Sequence, residues 1–193
     1  DVAQGGAPGR NDQLEEVVAY ADRHGLGEVL FLRIKPSGRA RRLYHELKLT
    51  PSQGRAFLPL LRRLARRYRP RLQVDCSFIP HLCAHRLSRR ALQQLGVDGC
   101  GAGNLLLGMR ADGRINGCSH HPEAFGTVEA FGALWDTHPH FFAFRDRQVT
   151  HPGCRACLYF AVCRGGCPLF SDFLVGDFAA PDPECPRLLA LAG

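Results

Sequence analysis

No stretch of the sequence approaches the roughly 18 consecutive apolar residues that cross a bilayer, which excludes a helical membrane protein. Residues 1–13 (DVAQGGAPGRNDQ) lack a basic start followed by an apolar stretch, and they lack an amphipathic Arg/Ser pattern. A secreted precursor is therefore not expected, and the Asp1 start reads as that of a fragment or processed chain. Lysine is nearly missing: of 25 cationic side chains only Lys35 and Lys48 are lysines. The arginines lie largely on helical faces with no recognisable nucleic-acid reading element beside them, so DNA or RNA is not an expected partner. An even cysteine count is lacking too. Nine thiols, with spacings as tight as C-x2-C, argue against a closed disulfide framework and for metal ligation in a reducing, cytoplasmic setting.

What is present suits one domain or two modest ones: 193 residues, 45 % hydrophobic and 22 % charged, which is ordinary globular usage. Charge divides the chain. Residues 1–97 carry 18 Lys and Arg against 8 Asp and Glu, a balance of +10, whereas residues 98–193 carry 7 against 10, a balance of −3. Cysteine divides it at the same place, with Cys76 and Cys83 before the boundary and Cys100, Cys118, Cys154, Cys157, Cys163, Cys167 and Cys185 after it.

The first half reads as alternating helix and strand. Asp12 with Glu15 forms a capping box for a helix over Leu14 to His24, which Gly25 stops. Glu28 to Ile34 (EVLFLRI) has the continuous apolar character of a buried parallel strand, ended by Pro36, Ser37 and Gly38. Thr50, Pro51 and Gln53 supply cap, first-turn proline and box for an amphipathic helix carrying Phe57, Leu60, Leu61, Leu64 and Tyr68. A second strand covers Leu72 to Ile79 (LQVDCSFI), and Ser88 caps a short helix ending before Gly96. This is α/β winding with parallel strands. A closed eight-stranded barrel takes about 250 residues, so this half supplies about two or three of its strands, as a terminal part with the rest upstream.

From Asp98 the texture changes. Leu105 to Met109 and Arg114 to Gly117 pair around the turn Ala111-Asp112-Gly113. A helix capped by Thr127 covers Val128 to Trp135, another covers Phe141 to Arg147, and the rest is loop that needs staples. The expected organisation is a disordered or linker start over 1–13, terminal βα units of a partial barrel over 14–97, and a loop-rich cysteine domain over 98–193.

The strongest motif is Cys154-x2-Cys157-x5-Cys163-x3-Cys167-Pro168. Thiolates at those intervals cannot share one helix face or strand face, but a loop folded around a compact polymetal core presents them from several sides. A related run ending C-x3-C-P serves iron–sulfur clusters in bacterial ferredoxins. Gly165 and Gly166 allow a tight turn just before Cys167. Zinc held by two knuckles is the competing reading, although seven thiols do not divide into fours.

The full pattern, Cys100-x12-Gly113-x4-Cys118, then Cys154-x2-Cys157-x5-Cys163-x3-Cys167, then Cys185, resembles the SPASM domain at the C-terminus of radical S-adenosylmethionine (radical SAM) enzymes. The hairpin MRADGRINGCS, the Leu134-Trp135 pair and Gly176-Asp177 before PDPECP are also similar, over about residues 98–190. Upstream, LRIKPSGRA and LQVDCSF are similar to the last barrel units of such enzymes that act on peptides. The resemblance implies two auxiliary [4Fe–4S] clusters: Cys100, Cys118 and Cys167 on the first, and Cys154, Cys157, Cys163 and Cys185 on the second. It leaves the first cluster one thiolate short. Cys83 is the nearest upstream candidate and Cys76 the next; the position stays unassigned, with a lean to an open or exogenously filled site.

The cluster that cleaves S-adenosylmethionine needs C-x3-C-x2-C, which is absent, so that cofactor and a third cluster belong to a full-length parent and the chain alone is not expected to be active. The resemblance implies a maturase of ribosomally made peptides as that parent. It also implies a peptide substrate, an external electron donor or acceptor, and clusters serving electron transfer or substrate binding. A stand-alone iron–sulfur electron-transfer protein and a zinc-binding interaction module are the alternatives. Lys35, Ser37 and Arg39 follow the first strand, and Asp75 and Ser77 end the second; Arg39 and Asp75 are candidates for holding the cofactor on the barrel rim. Cys76 alternates with Val74 and Phe78 and reads as a small buried hydrophobe. His120-His121 reads as a solvated turn, and Phe125, Phe131, Trp135, Phe141, Phe142 and Phe144 as apolar lining for the cluster domain.

Overall fold

The computed structural model describes residues 11–190, the side chains of Asn11 and Asp12 excepted. Helix α1 (Asn11–Arg23) leads into β1 (Glu28–Phe31). Helices α2 (Ala40–Leu47) and α3 (Pro51–Arg67) then cross to β2 (Arg71–Val74). A 3-10 turn over Cys76–Phe78 enters α4 (Ile79–Cys83), and α5 (Arg89–Gln94) closes the first half. Strands β1 and β2 pair in parallel, Glu28 opposite Arg71 and Phe31 opposite Val74, so the α/β reading of this half stands.

The second half opens with an antiparallel sheet of β3 (Gly108–Met109), β4 (Arg114–Asn116) and β5 (Phe125–Thr127). A 3-10 turn over Val128–Ala130 follows, then α6 (Phe131–Thr137) and α7 (Pro139–Arg145). Four short helices complete the described chain: α8 (Pro152–Arg155), α9 (Phe160–Cys163), α10 (Pro168–Val175) and α11 (Pro186–Leu189).

The core explains why the first half folds. Thr50 accepts the Gln53 N–H at 3.3 Å while the Gln53 side chain accepts the Thr50 N–H at 2.8 Å, so the capping box starts α3 where expected. One face of α3 then buries Phe57, Leu60, Leu61 and Leu64 against Phe31, Leu72 and Val74, leaving Arg62, Arg63, Arg66 and Arg67 in solvent. Phe57 stacks on Phe78 with ring centroids 4.3 Å apart.

Several expectations need correction. The strand expected over Leu72 to Ile79 stops at Val74, because the Asp75 carboxylate accepts the Ser77 N–H at 3.1 Å and caps a 3-10 turn, after which Pro80 sits in the first turn of α4. Cys76 and Phe78 therefore do not alternate with Val74. β1 stops at Phe31 rather than Ile34, and α2 and β5 were not foreseen. Thr127 stands at the head of a 3-10 turn with no side-chain cap. α7 starts two residues early, capped by His138, whose ring accepts the His140 N–H at 3.2 Å, and ends at Arg145. Of the start expected to be linker, residues 11–13 are helical, whereas residues 1–10 and the Asp12 cap lie outside the described residues.

His81, on α4, is 5 % exposed, and neither ring nitrogen has a hydrogen-bond partner. Burial first, and the Arg33 charge second, push its pKa down to about 4. The unfolded chain protonates this residue near pH 6.5 and the folded chain only near 4. Stability is thus complete above 6.5 and is lost as pH falls through that window. Urea unfolding at pH 7.5 and pH 5 should show a loss of about 2 kcal/mol from this group. The expected result for His81→Leu is a flatter pH dependence; an unchanged slope would assign the loss elsewhere.

Candidate metal centre

The nine cysteines gather into two sets. Cys76 leaves the C-terminal end of β2 through the Asp75-capped turn, and its thiol lies beside that of Cys100, which stands in the loop before β3. Cys118, just past β4, and Cys167, at the head of α10, both lie close enough to Cys100 to feel its charge. Hairpin, helix cap and strand exit thus converge on one place.

The second set lines a small apolar cavity of about 30 Å³. Cys83 from the end of α4, Cys154 from α8, Cys157, Cys163 at the end of α9 and Cys185 at the head of α11 face it, with Tyr159, Phe160 and Leu188 among the apolar walls. The two upstream cysteines therefore part company. Cys83, the nearer candidate in sequence for the first set, sits with the second, and Cys76, the next candidate, lies beside Cys100 and Cys167 of the first.

Backbone amides lie near sulfur: that of Ala102 near Cys100, those of His120 and His121 near Cys118, that of Gly166 near Cys163, that of Leu169 near Cys167, and those of Arg187 and Leu188 near Cys185. Amides so placed favour thiolate over thiol. Burial acts the other way, pushing Cys83 and Cys167 up to about 12 and Cys154 and Cys185 upward as well. Cys76 beside it holds Cys100 below the ordinary thiol range. All nine thiols are free, with no disulfide. Among the described residues no three His, Cys, Asp or Glu side chains group tightly enough to hold a single metal ion.

The loop joining the sets is Cys163 to Cys167. Gly165 and Gly166 adopt φ of +82° and +80°, as the sequence suggests. A side chain at Gly166 would meet the Asp182 Cβ at 2.6 Å and the Pro80 Cγ at 2.9 Å.

Of the two rim candidates, Asp75 is at the site and Arg39 is not. The Asp75 carboxylate pairs with Lys35 and accepts the Ser77 hydroxyl at 2.7 Å, and the Lys35 charge reaches Cys100, Cys118 and Cys167. Arg39 is exposed at the start of α2. In the turn expected to be solvated, His120 is exposed, whereas His121 is half-buried: its ring lies 4.6 Å from that of His140, among Phe125, Phe144 and Phe178. Of the aromatics expected as apolar lining of this domain, Phe131, Trp135 and Phe141 pack in sequence on one another, and Phe125 and Phe144 pack on His140; Phe141 is fully buried and Phe142 38 % exposed.

The least foreseeable part of the site is ionic. Arg33, just past β1, donates to Asp182 at 2.6 Å, to Glu184 at 2.8 Å and to the Ser77 carbonyl at 2.9 Å, and lies 3.7 Å over the Phe170 ring. Tyr44 and Lys48 each donate to Glu184 at 2.8 Å. Burial opposes the Arg33 charge, and the attraction and hydrogen bonds of Asp182 and Glu184 together outweigh it, so its pKa stands above the ordinary value. Glu184 immediately precedes Cys185, so this network fixes the last cysteine to the strand half. No known family model matches the chain, and no curated protein does.

The Arg33 and Asp182 side chains are 2 % and 0 % exposed, so removing one partner strands a buried charge. Arg33→Met should cost about 3–5 kcal/mol in urea unfolding, with much of it recovered in Arg33→Met/Asp182→Leu. A loss below about 1 kcal/mol would show that the pair does not hold the halves together.

Proposed function

We propose that the chain is the auxiliary-cluster portion of a radical SAM/SPASM enzyme that modifies a ribosomally made peptide, with terminal units of a partial barrel leading into a SPASM domain. The observation that carries the reading is the partition of nine cysteines into two spatial sets, in which the seven motif positions divide as the resemblance implies and each set gains one upstream thiol.

The donor set suits the group. A single tetrahedral zinc with sulfur at about 2.3 Å needs thiols within about 4 Å of one another, whereas a polynuclear core gives each thiolate its own iron and spreads the sulfurs. Nine free thiols in two sets, with no three His, Cys, Asp or Glu side chains among the described residues close enough to share one ion, fit the second arrangement. Cys76, Cys100, Cys118 and Cys167 would hold the first cluster, and Cys154, Cys157, Cys163 and Cys185 the second. Bound clusters of this kind accept and donate single electrons.

The chain's own residues supply placement. The first set is anchored past the C-terminal ends of the parallel strands, where α/β sheets bind ligands. Lys35 and Asp75 pair with each other beside it, both largely buried, and set its charge from the protein side. The apolar walls of the second cavity exclude water.

Anaerobic reconstitution with iron and sulfide should load about eight iron and eight sulfide per chain. One or two zinc with no sulfide would favour the interaction-module reading and overturn this one. An upstream C-x3-C-x2-C in the encoding reading frame is expected; its absence would favour a stand-alone electron-transfer protein.

Cys76→Ser tests the fourth thiolate. The electron paramagnetic resonance signal of the reduced first cluster should change, or its iron should fall, while the second stays intact. Unaltered signals and iron content would mean that Cys76 is not a ligand.

A further inference from the structure

Arg147 is 9 % exposed and lies two residues past α7. All five N–H groups of its guanidinium are used. Nε donates to the Phe178 carbonyl at 2.8 Å; Nη1 donates to the carbonyls of Arg164 at 3.2 Å and Gly166 at 2.8 Å; Nη2 donates to the Ser171 hydroxyl at 3.2 Å and to the Ala180 carbonyl. Every acceptor is neutral, and among the described residues no carboxylate forms an ion pair with it; nearby Asp182 is bonded to Arg33. A buried cation without a bonded counter-charge is costly, and its place in the fold names the missing anion.

Arg164 immediately follows Cys163, and Gly166 immediately precedes Cys167. One guanidinium therefore grips the link between the second thiol set and the first from within, and ties it to the 178–180 segment that leads to Cys185. Cys167, Cys163 and Cys100 all lie within electrostatic reach of it. The cation is thus shared by the two sets.

The geometry points to Arg147 as a positioning residue common to both centres: it fixes the 163–167 link, and its charge stabilises the more anionic, reduced state on either side, raising both reduction potentials together. This rests on the cluster reading above. A fixed charge in a low-dielectric interior acts at several ångströms without bonding the metal, and cluster potentials respond to local charge and to hydrogen bonding around sulfur.

The test uses the full chain, anaerobically reconstituted, with iron and sulfide assayed and both clusters titrated with dithionite through mediators. In Arg147→Gln both midpoint potentials should move to more negative values, whereas Arg147→Lys, which keeps the charge and loses the fork, should stay close to the parent. Ser171→Asp sets a carboxylate against the guanidinium while leaving Arg147 in place; it should give the same negative shift and serves if the glutamine variant does not fold. Unmoved potentials in Ser171→Asp, or movement of one cluster alone, would overturn the shared role. A parent chain that takes up zinc, or no iron and sulfide, would overturn the cluster reading itself and this inference with it.

Discussion

The buried contact of Arg33 with Asp182 and Glu184 is the constraint on which the arrangement rests. It joins residues 149 apart in sequence, the first just beyond β1 and the others in the loop that delivers Cys185. Asp182 also donates its N–H to the Gly165 carbonyl at 2.7 Å. The same aspartate thus touches the strand half, the final cysteine loop and the glycine link between the thiol sets. A contact of this kind adds little net stability over an apolar equivalent, yet breaking it is expensive, so its value lies in selecting one arrangement.

Around that contact the two halves lend each other what each lacks. The strand half has a real core, with Phe31, Phe57, Leu64, Leu72 and Val74 packed between α3 and the parallel pair. The cysteine half has short helices and small strands, and its second apolar cluster, around Leu169 and Phe170, is completed by Tyr44 from α2. Each thiol set likewise takes one member from the strand half, Cys76 or Cys83. The junction is a shared interior, and the sites sit within it.

Legibility followed sequence distance. Thr50, Pro51 and Gln53 announced α3 because a capping box is written within four residues, and the parallel pair was readable from two apolar runs at crossover spacing. The thiol motif was legible because its members lie close together and their chemistry is unusual. The alternation of Cys76 with Val74 does not hold, because the Asp75 carboxylate turns the chain, a local signal that period-two apolar spacing masks. Arg33 and Arg147 were invisible among many arginines. A cation that bonds distant carbonyls or a distant carboxylate leaves no local pattern, and Asp182 and Glu184 in PDPECP gave no hint of their partner.

The double glycine turn ahead of Cys167 has a kinematic consequence. Four peptide units separate Cys163 from Cys167, so their Cα atoms can never lie more than about 14 Å apart. Asp182 and Pro80 leave no room for a side chain at Gly166, so only glycine lets the chain pass between them. The tether length therefore sets how far apart the two thiol cradles can ever stand, whatever else in the protein moves.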